Sequence, residues 1–197
     1  MAAGLLLVLS GPSGVGKTTI AHEMLRRFGG YFSVSATTRA PTNEEKNGVD
    51  YSFVSPEVFQ QMIDQKLFIE FAQVFGRSWY GTPRQPVDAA LARGELAVLD
   101  IDVQGAELVR DKYPDMLGIF ILPPSEESLL TRLRQRGRED ESAIQRRFRE
   151  STVEMQRARD NGIYNAFVIN DDLSAAIEEV SCLVAEKLKS RVAQRAG

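Results

Sequence analysis

Residues 11–19, GPSGVGKTT, constrain this chain more than any other stretch. They fit Gly-x-x-x-x-Gly-Lys-Thr, with Gly11, Gly16, Lys17 and Thr18 at the fixed positions. The apolar run GLLLVLS (4–10) precedes them and the helical pattern KTTIAHEMLRRF (17–28) follows. Strand, glycine-rich loop and helix in that order make a phosphate-binding loop. Glycines let the backbone curl until several N–H groups face one anion, and the helix N-terminus adds partial positive charge. The segment Gly11, Pro12, Ser13, Gly14, Val15, Gly16, Lys17, Thr18 and Thr19 is therefore expected to hold the phosphates of a nucleotide. Lys17 reaches the β- and γ-phosphates, and the Thr18 hydroxyl is a ligand for Mg²⁺.

The rest of the chain narrows the setting. Its 197 residues suffice for one good-sized core with an insertion or two. A net charge of −3 gives no global pull toward nucleic acid or anionic lipid. LLLVL is far too short to span a bilayer, and no basic n-region with a cleavage site precedes it, so no signal peptide is expected. One cysteine, Cys182, excludes an intrachain disulfide framework and fits a reducing, cytoplasmic setting. It falls in an apolar helical pattern and reads as core filler. His22 lies among polar neighbours in the first helix and reads as a surface residue with no metal cluster around it.

Apolar β-type runs alternate with helical patterns, which argues for an α/β fold with a mainly parallel sheet. Core strands are expected at 5–10, 96–101, 117–122 and 166–170, each apolar nearly throughout, as a strand covered on both faces should be. Helices are expected at 17–28, about 84–93, about 104–112 and about 173–190. The predicted architecture is a P-loop NTPase-type parallel sheet flanked by helices, with a small mixed α/β insertion and a helical lid. The core comprises 1–34, 84–124 and 161–197, the insertion 35–83 and the lid 125–160. In and beside the insertion, 32–36, 51–54 and 68–74 look like strands, and a short helix starts with Ser55 as N-cap and Pro56 at its first position. The lid is strongly helical, interrupted at Gly137 and rich in arginine. Both segments read as too polar for the central core.

Three constellations carry chemistry. In LAVLDIDVQG (96–105), Asp100 and Asp102 are two apart and share one face of a strand, at the strand end where ligands sit in parallel sheets. The alternative is a pair of solvated acids capping the following helix. In the lid, Arg132 and Arg136 are i, i+4, and Arg138, Arg146, Arg147 and Arg149 follow. Most read as a salt-bridged, solvated helix pair. Two or three of them would suffice to neutralise charge developing on a transferring phosphoryl group, with Gly137 as the hinge for closure. In the insertion, Arg39, Tyr51 and Tyr80 together offer a phosphate one charge and two phenolic donors. Glu70 sits in an otherwise apolar strand. Alternation alone leaves it either on a wet face or as an acceptor for the adjacent N1–H and N2–H₂ donors of guanine.

These residues give the chain its resemblance to the guanylate kinases, which runs from end to end. GPSGVGKTT, SATTRAP, NGVDYSF, FIEFAQVFG…YGTP, LDIDVQG, ILPPS, RLRQRG and INDD occur in the family's order. The resemblance implies ATP-dependent phosphorylation of GMP and dGMP with Mg²⁺; the charge balance and short apolar runs give no expectation of a nucleic-acid or membrane partner. The resemblance also implies that Ser35, Glu70, Thr82 and Asp102 read the guanine and that Arg39, Tyr51 and Tyr80 hold the GMP phosphate. Lys17 and Thr18 would serve ATP and Mg²⁺, with Asp100 orienting the metal's waters. Arg132 and Arg147 would be lid arginines, Arg136 would lie near the ATP phosphates, and Asn170 near the adenine. Two features depart from the family pattern. Thr42 stands where a second phosphate-binding arginine is usual, and GRSWYG is one residue longer than the usual GNYYG. Loss of a charge-assisted hydrogen bond costs about 1.5–3 kcal/mol, so Arg77 or Lys46 is expected to compensate. Two other readings are a kinase for another small phosphate and a silent binding module. The second would be expected to lose the loop and lid residues that are present here.

Overall fold

β1 (Leu5–Ser10) is buried along its whole length and shows how the core is divided. Successive side chains of a strand point to opposite faces. Leu5, Leu7 and Leu9 enter one apolar cluster with Ile20, Met24, Val180 and Val184, while Leu6 and Val8 enter another with Val87, Ala90 and Val109. The sheet is thus covered on both sides at β1, as a parallel sheet requires, whereas the edge strand at 166–169, expected to be covered on both faces, leaves Phe167 and Ile169 exposed. The structure is a computed structural model and describes residues 4–74, 78–135 and 140–196.

The remaining elements follow in chain order. They are α1 (Lys17–Phe28), β2 (Tyr31–Phe32), β3 (Ala36–Thr37), β4 (Ser52–Phe53), α2 (Pro56–Asp64), β5 (Phe68–Val74), β6 (Ser78–Pro83), α3 (Arg84–Ala92) and β7 (Leu96–Asp100). Then come α4 (Val103–Lys112), β8 (Leu117–Leu122), α5 (Glu126–Gln135), α6 (Glu141–Asp160), β9 (Ala166–Ile169) and α7 (Leu173–Ala196). The main sheet has the order β2-β7-β1-β8-β9, and all its pairings are parallel. A second sheet, β4-β3-β6-β5, is mixed: β3 and β4 run parallel, while β6 is antiparallel to β3 and β5.

Several elements differ from expectation. The run 32–36 is not one strand. Tyr31–Phe32 pairs with β7 in the main sheet, and Ala36–Thr37 belongs to the second. No strand is expected at β6, which carries Gly81 and Pro83. Gly81 is required for packing, since a Cβ there would meet the Phe68 ring at 2.9 Å. The helix opened by Ser55 forms, and the Ser55 hydroxyl accepts from the Val58 amide at 3.3 Å. This second sheet has a core of its own, with Ala36, Phe59 and Phe68 buried and the two rings stacked at 4.7 Å between centroids.

The arginine-rich helices are not outside the core. Leu129, Leu133, Ile144, Met155 and Ala158 are buried in the larger main cluster. A narrow apolar stripe suffices for that, and the surrounding charge hides it in the sequence. Gly137 and Arg136 lie outside the described residues. Cys182 is exposed rather than core filler. α7 buries Ala176, Val180 and Val184 at four-residue spacing, and a residue two beyond Val180 falls about 200° around the helix. His22 is exposed, edge-on to Phe32. Among the described residues no helix is long and apolar enough to cross a membrane.

Candidate active site

The phosphate loop leaves β1 and enters α1. Val15 anchors it in the main core, fully buried. Gly16, the helix N-cap, has φ +91°, and a Cβ there would come within 2.6 Å of Asn170 Nδ2. Only glycine suits that backbone and that gap. Lys17 Nζ donates to the Gly11 carbonyl at 2.7 Å and the Pro12 carbonyl at 3.2 Å, and lies 3.8 Å from Asp100 Oδ1. The Thr18 hydroxyl donates to Asp100 Oδ2 at 2.8 Å. A cleft of about 500 Å³ opens here, lined by Ser13, Gly14, Thr18 and Thr19 of the loop and by Tyr51, Asp100, Arg132 and Gln135 opposite. Loop, second sheet and α5 therefore meet at one opening.

Asn170 is buried and braces the loop. Its side-chain amide donates to the Val15 carbonyl at 2.7 Å, and its own carbonyl accepts from Arg132 at 2.9 Å. Arg147 is half-buried on α6.

In the second sheet Arg39 is held on several sides. It makes a two-pronged ion pair with Glu45 at 2.7 and 2.9 Å. Its Nε donates to the Tyr80 hydroxyl at 3.0 Å, and its guanidinium lies 5.3 Å from the Tyr51 ring centroid. The hydrogen bond from Arg39 pulls the Glu45 carboxyl down to about 2, and the same bond raises Arg39. Burial pushes the Tyr51 phenol up to about 12, so it remains a donor at neutral pH. Ser35 is half-buried, and its carbonyl takes the Ser52 amide at 2.9 Å.

Glu70 is not on a wet face. It is 6% exposed and stands opposite Thr82, whose hydroxyl donates to it at 2.5 Å. Burial pushes its carboxyl up to about 7, and Asp102 adds to the rise while the Thr82 bond opposes it. Asp102 does not share a strand face with Asp100. β7 ends at Asp100, and Asp102 caps α4 by accepting the Gly105 amide at 2.8 Å.

Comparison with known proteins fits this geometry. The guanylate kinase family profile matches residues 4–187. The guanylate kinase of Myxococcus xanthus is 45% identical over 94% of this chain and 88% of its own length. That of Carboxydothermus hydrogenoformans is 42% identical over 97% and 93% respectively. A crystal structure of guanylate kinase from Anaplasma phagocytophilum superposes with a TM-score of 0.76 at 32% identity, covering 96% of this chain and 89% of that one. The chain belongs to the guanylate kinase family.

Two residues of the site escaped sequence reasoning. Glu45 fixes Arg39, and neither residue's spacing signals the pairing. Glu154, on α6, is raised by burial and by the charges of Asp102 and Asp100, while Lys17 opposes the rise. A signal for it existed: Ser151, Met155 and Ala158 form the buried stripe of α6, and Glu154 lies three and four residues from two of them. The departures at Thr42 also take shape. Thr42 is exposed and gives Glu45 its backbone amide at 2.8 Å, not a positive charge. Lys46 is exposed nearby, and Arg77 lies outside the described residues.

Thr18 and Asp100 offer a hard cation one hydroxyl and one carboxylate. Among the described residues no group of three or more His, Cys, Asp and Glu could hold a metal. That sparse oxygen set fits Mg²⁺, which keeps several waters and takes its other ligands from phosphates.

Proposed function

We propose that the chain phosphorylates GMP and dGMP from ATP, with the phosphate loop and lid arginines serving ATP and the second sheet serving the monophosphate. The observation that carries the acceptor assignment is Glu70, a buried carboxylate between Thr82 and the first turn of α4 whose hydroxyl partner leaves acceptor capacity free. Guanine brings two adjacent N–H groups to such a carboxylate, and adenine does not. Those donors favour the ionised form, so base binding and deprotonation of Glu70 reinforce each other. Ser35, Thr82 and Asp102 complete the base site in this reading, and Asn170 lies toward the adenine side of the loop.

Arg39, with Tyr51 and Tyr80, takes the GMP phosphate. Glu45 and Tyr80 already hold the guanidinium in place, so little rotamer freedom is lost on binding. A GMP phosphate oxygen attacks the γ-phosphorus of ATP in line, the bond to the β–γ bridging oxygen breaks, and ADP leaves. Lys17 exchanges the Gly11 and Pro12 carbonyls for β- and γ-phosphate oxygens. Arg132, Arg147 and Arg136 neutralise charge on the moving group. Thr18 and Asp100 would hold Mg²⁺, which when bound would supply further charge neutralisation at the phosphates. Closure excludes water as a competing acceptor.

The test is ADP release with Mg-ATP and each of GMP, dGMP, AMP, UMP and CMP. GMP and dGMP turn over and the others lag by orders of magnitude. Absence of ADP release with GMP sinks the assignment; preference for another monophosphate moves it to a different acceptor.

A further inference from the structure

Gly105 is the point where the backbone of α4 lies bare against Glu70. A Cβ at this position would sit 3.0 Å from Glu70 Oε2, 3.2 Å from its Cδ and 3.5 Å from Asp102 Oδ1. The same residue's amide donates to Asp102 Oδ1 at 2.8 Å. One residue thus touches both carboxylates, one through the absence of a side chain and the other through its N–H.

Backbone conformation does not explain the glycine. Gly105 is helical and is not among the glycines with positive φ. Glycine within a helix costs about 1 kcal/mol relative to alanine, so the helix alone would be better served by alanine. Close approach of Glu70 does explain it. Glu70 has little room to retreat: it is nearly fully buried, and the Thr82 hydroxyl holds its other oxygen at 2.5 Å. Lys112, at the far end of α4, donates to the Ile69 carbonyl next to Glu70 and ties β5 to the helix. An added methyl therefore displaces the carboxylate by a few tenths of an ångström.

We infer that Gly105 is a positioning residue for base selection, setting where the Glu70 and Asp102 carboxylates stand and so the demand for the 2-amino group of guanine. The inference rests on the proposed reading of Glu70 as the guanine acceptor. Two-pronged acceptance of N1–H and N2–H₂ requires both carboxylate oxygens in the plane of the base at hydrogen-bond distance. A site built around a substrate N–H rejects the analogue that lacks it. Inosine monophosphate, which keeps N1–H and lacks the 2-amino group, reports on that demand directly.

The experiment compares wild type, Gly105→Ala and Glu70→Gln. It measures KM and kcat for GMP and for inosine monophosphate, KM for ATP, and thermal midpoint. For Gly105→Ala, KM for GMP rises about tenfold and the GMP preference over inosine monophosphate falls about tenfold. KM for ATP stays within twofold, and the midpoint is unchanged or higher. If Glu70→Gln raises KM for GMP while Gly105→Ala leaves both KM and preference at wild-type values, the inference falls and the reading of Glu70 stands. If Glu70→Gln itself leaves GMP binding intact, that reading falls and takes the inference with it. A lower midpoint with equal losses toward both monophosphates assigns Gly105 a purely structural role and also overturns the inference.

Discussion

The phosphate loop and the second sheet face one cleft but are built differently. The loop is a nine-residue local motif whose lysine bonds to carbonyls five and six residues away, and it is rooted in the large core through Val15 and Ile20. The second sheet brings Arg39 to Tyr80 across 41 positions and Glu70 to Thr82 across 12, over a core of three buried residues among those described. The loop presents backbone and one lysine. The sheet presents charged and phenolic side chains already bonded to one another. Anion binding by main-chain amides can be built anywhere a loop meets a helix. Reading a base needs particular side chains in register, and in the proposed reading β5, β6 and the start of α4 supply them.

The comparison is broken most sharply at Lys17. Lys17→Ala lowers kcat by about 10⁴-fold, or about 5 kcal/mol, because transition-state charge loses its nearest cation. KM for GMP and the thermal midpoint stay near wild type; near-normal turnover would refute the scheme. The counterpart on the other side is Phe59→Ala, which empties the small core at a cost of about 4 kcal/mol. Native-state hydrogen exchange then shows protection lost in β3, β5 and β6 and kept in β1, β7 and β8. Uniform loss would mean that the two sheets do not differ in local stability.

A pH titration probes Glu70. Its folded carboxyl is raised to about 7 from 4.5 by burial, so between those values the native state binds the extra proton. Stability of the free protein therefore falls as pH rises from about 4.5 to about 7, by roughly 3 kcal/mol from this one group, and is level above. Glu70→Gln flattens that slope in urea titrations. Below pH 7 the same protonation raises KM for GMP beyond what the second ionisation of the substrate phosphate explains, and the variant retains only the phosphate's share. The smallest effect comes from restoring the family's usual cation. Thr42→Arg lowers KM for GMP several-fold, about 1 kcal/mol at an exposed site, and leaves KM for ATP alone. An unchanged KM would show that the phosphate is already fully neutralised.

The parts of the molecule legible in the sequence are those with local cause. The loop, the four apolar strands of the main sheet and the Ser55–Pro56 helix start each follow from residues close together. What escaped depends on partners far along the chain. Two residues, Tyr31 and Phe32, are too few to show a strand period, and only pairing with β7 makes them one. β6 carries Gly81 and Pro83, and only pairing with β3 and β5 makes it a strand. Glu70 could face either way until α4 covered it. Asp102 looked like the next residue of a strand face until β7 stopped two residues earlier. Cys182 and the lid stripe failed for one reason: composition over a window does not say which side of a helix is covered.

Ala36 pairs with Gly81, so the chain passes into the second sheet and out of it side by side. Beyond those two joints, Ile69 in the smaller main cluster, the Lys112 clasp and the Glu70–Gly105 contact tie that sheet to the body. Under the proposed function, the segment 35–83 acts as a cassette for the acceptor. Grafting another acceptor-binding cassette onto this scaffold means matching two neighbouring splice points and one helix face, with the nucleotide-triphosphate end left as it is.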